Sequence, residues 1–185
     1  MAKLIYSAIT SLDGYVADRD GRFDWSIPDD EVHAAVNDVM RPIGTHLYGR
    51  RIYEVMVAWE TLDTTDEPAV IKDFADIWRR ADKVVYSTTL QAVSSRRTRI
   101  ERHFDGGEVA QLKIRADSDL LIGGPTLAGH ALELELVDEL HLFVSPVLAG
   151  GGIRALPEDL GASLSQISER GFGNGVVHAH FAVTG

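Results

Sequence analysis

The sequence predicts one α/β domain: a mainly parallel sheet flanked by helices and closed by an antiparallel hairpin. Short apolar, β-branched runs alternate with helical patterns along most of the chain, which argues strand–helix–strand units. Near the end, two strand-like runs surround a glycine-rich turn containing Asn174-Gly175, a hairpin signal. At 185 residues the chain suits a single core, and residues 1–185 read as one domain.

In chain order, residues 4–10 (LIYSAIT) read as the first strand. Ser26 can cap the helix that follows, Pro28 fits its first turn, and Asp29, Asp30 and Glu31 suit the positive end of its dipole. Val32, Ala35, Val36, Val39 and Met40 recur at helical spacing, so this helix is expected over about 28–41. Residues 45–49 are a second strand running into a helix over 50–59. Another helix, over 68–80, starts at Pro68, and 83–88 (KVVYST) is a third strand. A weaker helix spans about 107–116, and 119–124 (DLLIGG) is a strand breaking into glycine. Residues 126–139 read as a helix with Leu127, Ala131, Leu134 and Val137 near one face, and 140–148 as a strand. The hairpin takes 163–170 and 176–183. The polar loop 61–67 does not resemble a domain linker, and no internal repeat is present.

Composition narrows the function. A net charge of −10 and a pI near 5.1 argue against a nucleic-acid groove or an anionic membrane surface. The expected partner is a small-molecule substrate. Without cysteine there is no disulfide, thiol nucleophile or thiolate metal site. The first apolar run is too short for a signal peptide, and no stretch approaches the ~18 apolar residues of a membrane span. A cytoplasmic protein is expected.

In open α/β sheets, ligands bind beyond the carboxyl ends of the parallel strands. Three such ends carry Gly49-Arg50-Arg51, Ser87-Thr88-Thr89 and Gly123-Gly124-Pro125-Thr126. Glycine admits backbone N–H groups to an anion, a helix start favours negative charge, and arginine grips phosphate oxygens bidentately. Each stretch also has a plain reading as a turn or a solvated face. Together at one edge of an acidic protein they point to a dinucleotide, although neither G-x-G-x-x-G nor G-x-x-x-x-G-K-[ST] occurs.

Four motifs then stand in order over residues 4 to about 150: SLDGYVAD (11–18), WSIPDD (25–30), YGRRIYE (48–54) and LIGGPTL (121–127). They resemble the dihydrofolate reductase-like fold, and within it the reductase domain of riboflavin biosynthesis. The resemblance implies an NADPH-dependent reductase, commonly a homodimer. It implies cofactor phosphate contacts at Gly49, Arg50 and Arg51, and adenosine-side contacts at Ser87 and Thr88. Gly123, Gly124, Pro125, Thr126 and Leu127 would cradle the pyrophosphate, and Ala8 would offer backbone to the nicotinamide carboxamide. Ile52 stands where folate reductases bind phosphate through a threonine, so one hydroxyl is missing.

WSIPDD is similar to the pattern Trp-x-x-Pro-x-Asp, whose last residue is the catalytic carboxylate, and that residue is Asp30. Helical phase disagrees by one position, because Asp29 lies nearer the stripe of Val32, Val36 and Val39. Asp30 ranks first and Asp29 is its rival. Phe143 and Ala81 replace a threonine and an arginine that folate enzymes use, so a different carbonyl, imine or pteridine/pyrimidine-type substrate is expected. Asp13 reads as a turn residue or a substrate-side one. Trp25 reads as a core anchor or a shield over the nicotinamide. No metal site is expected: His178 and His180 share one strand face, and His46, His103 and His141 have no partner at ligand spacing. The rival to an enzyme is a non-catalytic nucleotide-binding sensor or scaffold using the same edge.

Overall fold

A computed structural model describes residues 1–184. The chain opens with β1 (Leu4–Ser11), β2 (Tyr15–Ala17) and a 3-10 turn at Asp24–Ser26, followed by α1 (Asp30–Met40) and β3 (Ile43–Gly49). Then come α2 (Arg50–Met56), α3 (Ala58–Thr61), α4 (Ala69–Arg80), β4 (Asp82–Tyr86) and β5 (Thr98–Glu101). The second half holds α5 (Gly106–Arg115), β6 (Asp119–Gly123), α6 (Pro125–Glu133) and β7 (Glu139–Ser145). It closes with β8 (Ile153–Arg154), β9 (Leu164–Gly171) and β10 (Val177–Val183).

Eight strands form one sheet in the order β5-β4-β3-β6-β1-β7-β10-β9. Every pairing from β5 to β7 is parallel, and the β9–β10 hairpin adds an antiparallel margin. The predicted fold class is therefore the observed one. Strand interiors are apolar on both faces because helices cover both. Leu4, Tyr6, Leu47, Leu120 and Ile122 pack against Val109 of α5 and Leu127, Ala128 and Ala131 of α6. Their neighbours Ile5, Tyr48 and Leu121 turn to the other face and meet Met40, Tyr53, Phe74, Ile77 and Trp78. A smaller cluster under α1 joins Val32, Ala35 and Phe143 to Phe172 and Val176 of the hairpin turn.

Several expectations differ in detail. Ser26 does not cap α1; Asp29 does, its side chain accepting the Val32 amide at 2.9 Å, so Pro28 lies outside the helix. The expected helix 50–59 is two short helices meeting at Val57. The helix expected to 139 stops at Glu133, where Glu135 takes φ 54° and leaves Leu134 exposed. Val137 is buried, but from the following loop. β2, β5 and β8 were not anticipated, because two to four residues carry too little periodicity to read.

Candidate active site

β3 and β6 are parallel neighbours, with Tyr48 opposite Gly123, but their chains depart to opposite sides of the sheet. In open α/β sheets such a divergence is where the ligand crevice lies. Two helices start at it, α2 behind Gly49 and α6 behind Gly124, and neither N-terminus has a side-chain cap. By contrast, Asp29 and Asp105 cap α1 and α5 with their own carboxylates. The uncapped N–H groups and helix dipoles at the crevice suit a bound anion. Glycine is required twice there. Gly124 sits at φ 90°, and a Cβ on Gly123 would lie 2.7 Å from the Tyr48 ring. Ile52, at the position compared above with the threonine of folate reductases, packs its methyl against Gly124.

A second gap adjoins the first. The β1–β6 ladder ends at Tyr6–Ile122, whereas β1–β7 continues to Ser11–Ser145. Past that point the β6 side of β1 is unpaired. Alternation points the Ser7 carbonyl and the Ile9 amide there, on the side where Lys3 accepts the Leu120 amide. Ala8, expected to offer its backbone, points it toward β7, the side on which Leu4 accepts the Asp138 amide. A planar amide-bearing ring could pair with that free edge, so the donor set fits a dinucleotide.

At the β3–β4 end, Arg50 donates from Nη1 to Thr89 Oγ1 (2.8 Å) and from Nε to Glu54 Oε1 (2.7 Å). Arg51 is exposed and has no ion-pair partner among the described residues. Ser87 is buried, and its Oγ accepts the amides of Thr89 and Leu90, so it shapes the turn, while Thr88 is exposed. Arg102 donates from Nη1 to the carbonyls of Ser87 (2.9 Å) and Leu90 (2.7 Å). It pins this loop, and sequence reading missed it because no motif marks a residue that acts on backbone carbonyls.

Beyond β1 and β7 lies a cavity of about 240 Å³ lined by Ile9, Trp25, Pro28, Val32, Ser145 and Asn174, among others. The indole Nε1 of Trp25 is buried without a hydrogen-bond partner. A buried donor left unmade costs about 1–3 kcal/mol, which an acceptor on a ligand would recover. Trp25 is half-buried and belongs to none of the core clusters, so it lines the cavity and does not anchor the core. Neither Asp29 nor Asp30 lines the cavity. Asp29 is committed to its cap. Asp30, in the first turn, is exposed and makes no side-chain hydrogen bond among the described residues. Replacing Asp29 with Ala should cost about 0.5–2 kcal/mol of stability, read by thermal denaturation. Cofactor affinity should hold, and an unchanged Tm would exclude the capping role.

Asp13 organises the loops beside this cavity. Its carboxylate accepts from Ser11 Oγ (2.6 Å) and from the amides of Ala149 (2.9 Å) and Gly150 (2.8 Å). These bonds, the Ser11 hydroxyl foremost, lower its pKa to about 2. A depressed carboxylate stabilises above the ordinary pKa and loses that contribution as pH falls through the folded value. Hydrogen exchange at Ala149 and Gly150 should therefore accelerate between about pH 4 and 2 in the wild type, beyond the intrinsic trend. It should be fast throughout in Asp13→Ala, and equal protection in both would remove the link.

The folate-type contacts are absent. Phe143 is fully buried, and Ala81 is buried with no charge to offer. Arg79 donates to the carbonyls of Trp59 and Leu62, and Arg80 to that of Arg41, so both neighbouring arginines are spent on loops.

The RibD C-terminal domain family matches residues 2–178 of the chain. The uncharacterized protein YyaP of Bacillus subtilis (strain 168) is 28% identical over 179 residues, covering 95% of this chain and 92% of that protein. A putative riboflavin biosynthesis protein from Shewanella sp. PV-4 superposes over the full length of both chains, with a TM-score of 0.78 at 22% identity. The diaminohydroxyphosphoribosylaminopyrimidine deaminase/5-amino-6-(5-phosphoribosylamino)uracil reductase of Thermotoga maritima gives 0.69 at 15% identity. That match takes in 99% of this chain and 57% of the Thermotoga protein. At such identities the two structures show a shared fold.

Proposed function

The chain belongs to the RibD C-terminal domain family, and from that premise we propose that it is an NADPH-dependent reductase acting on a small carbonyl, imine or pteridine/pyrimidine-type substrate. The observation carrying this reading is the paired, uncapped starts of α2 and α6 beside the unpaired backbone edge of β1 at Ser7 and Ile9. When bound, NADPH would supply a hydride. Gly49, Gly124 and the first N–H groups of α6 would hold its phosphates, with Arg50 and Arg51 outside them. Trp25 and Val32 would screen the cavity from water, and the indole N–H would orient an acceptor on the substrate. Asp30 is the acid assigned to proton delivery, through water, since its carboxylate stands outside the cavity lining. A second copy of this chain is the partner assigned to β9, an eight-residue edge strand exposed along its whole length.

Fluorescence titration with NADPH, followed by oxidation assays on pyrimidine, pterin and carbonyl substrates, tests the reading. NADPH should bind and be oxidised by a member of those classes, and dihydrofolate should be a poor substrate. Tight binding with no turnover would return the non-catalytic nucleotide binder. No binding would remove both readings.

A further inference from the structure

A separate cluster lies at the opposite, amino-terminal end of the parallel strands, where β7 begins. Ile5 pairs with Glu139 there, and antiparallel β10 sets His180 opposite His141 and His178 opposite Phe143. Alternation therefore brings Glu139, His141, His178 and His180 to one face, under α1. They border a cleft of about 360 Å³ that Asp38, Asp119 and Arg170 also line.

Three donor atoms converge. Glu139 Oε2 lies 3.1 Å from His180 Nε2 and 3.8 Å from His141 Nε2, and all three fall within 4.8 Å of one another. Ligands holding an ion tetrahedrally at ~2.0–2.1 Å stand about 3.4 Å apart, between those two spacings. His141 Nδ1 is 3.0 Å from His178 Nε2. With the proton on Nδ1 donated to His178, the lone pair of His141 Nε2 is left free, the usual outer-partner arrangement of a metal-bound imidazole. The other Glu139 oxygen accepts from Lys3 Nζ at 2.6 Å, which fixes the carboxylate without using Oε2. The rings of His141 and His180 stack at 3.8 Å, and turning them onto an ion uses a soft terminal torsion.

We propose that Glu139, His141 and His180 form a divalent transition-metal site, with His178 as its outer hydrogen-bond partner and the remaining coordination positions open to the cleft. A two-imidazole, one-carboxylate set with open positions suits Zn²⁺, Co²⁺ or Fe²⁺. Because its ligands come from two strands, the ion would fasten the terminal hairpin to β7. The site is remote from the crevice and does not depend on the reductase reading.

Zn²⁺ titrated into metal-stripped wild-type protein should bind with one-to-one stoichiometry. It should raise Tm by about 5–10 °C at one hundred times Kd. Co²⁺ should give visible d–d absorption from the same site and be displaced by Zn²⁺. His180→Gln should lose the stoichiometric binding, while His130→Gln, on an exposed helix surface, should keep it. Absence of stoichiometric Zn²⁺ uptake by the wild type, or unchanged affinity in His180→Gln, would overturn the site. If that variant does not fold, the wild-type Co²⁺ spectrum decides, and no absorption at saturating Co²⁺ overturns it equally.

Discussion

Phe143→Ala should lower stability by about 3–5 kcal/mol, the range for emptying a buried aromatic. For a chain of this size that is a fall in Tm of roughly 6–20 °C. Phe143 is fully buried. Its ring stacks on His178 at 4.2 Å and packs with Val32, Ala35 and Phe172, so it joins β7 to α1 and to the hairpin turn at once. Helix, sheet and turn cannot all close on the space it leaves. Phe143→Thr, which restores the residue type of the folate enzymes, should be no better. It opens a similar cavity and adds a hydroxyl that needs a partner. Phe143→Leu should cost less, because most of the volume stays. Thermal and urea denaturation of the three variants measure this. An Ala variant melting within about 2 °C of wild type would mean that the three elements do not depend on one another here.

Arg50→Ala combined with Arg51→Ala should weaken NADPH binding roughly 10- to 150-fold and leave NADH nearly unchanged. The two cofactors differ by one phosphate on the adenosine ribose, and a charge-assisted hydrogen bond to it is worth about 1.5–3 kcal/mol. Arg50 already bridges to Thr89 across the β3–β4 end, which positions its guanidinium before any ligand arrives. Its pair with Glu54 is exposed on both sides, so giving it up costs at most about 1 kcal/mol. For the same reason the double variant should fold normally, and its Tm serves as the control. Isothermal titration with both cofactors decides the matter. A wild type that does not distinguish them, or a preference that survives loss of both arginines, would remove these residues from the site.

The sequence by itself determined what depends on neighbours along the chain. Strand–helix alternation, the parallel class of the sheet, the hairpin at Asn174-Gly175 and the placing of Gly49 and Gly124 before helices all rest on local periodicity and backbone preference. Those forces act within a few residues and can be read in order. Local reading also tied Asp29 and Asp30 to the start of α1, yet which residue caps turned on backbone angles at Ile27 and Asp29 that periodicity does not encode.

Tertiary structure alone decided what depends on register between distant segments. Arg102 reaches the carbonyls of Ser87 and Leu90 only because β5 lies beside β4. The gap beside Ser7 and Ile9 exists because one ladder of β1 stops before the other. His141 has no partner at any ligand spacing along the chain, yet pairing of β7 with β10 sets His180 directly across from it. A one-residue slip of that pairing would send the two imidazoles to opposite faces. Packing of whole elements selects the register, and no window of sequence contains it.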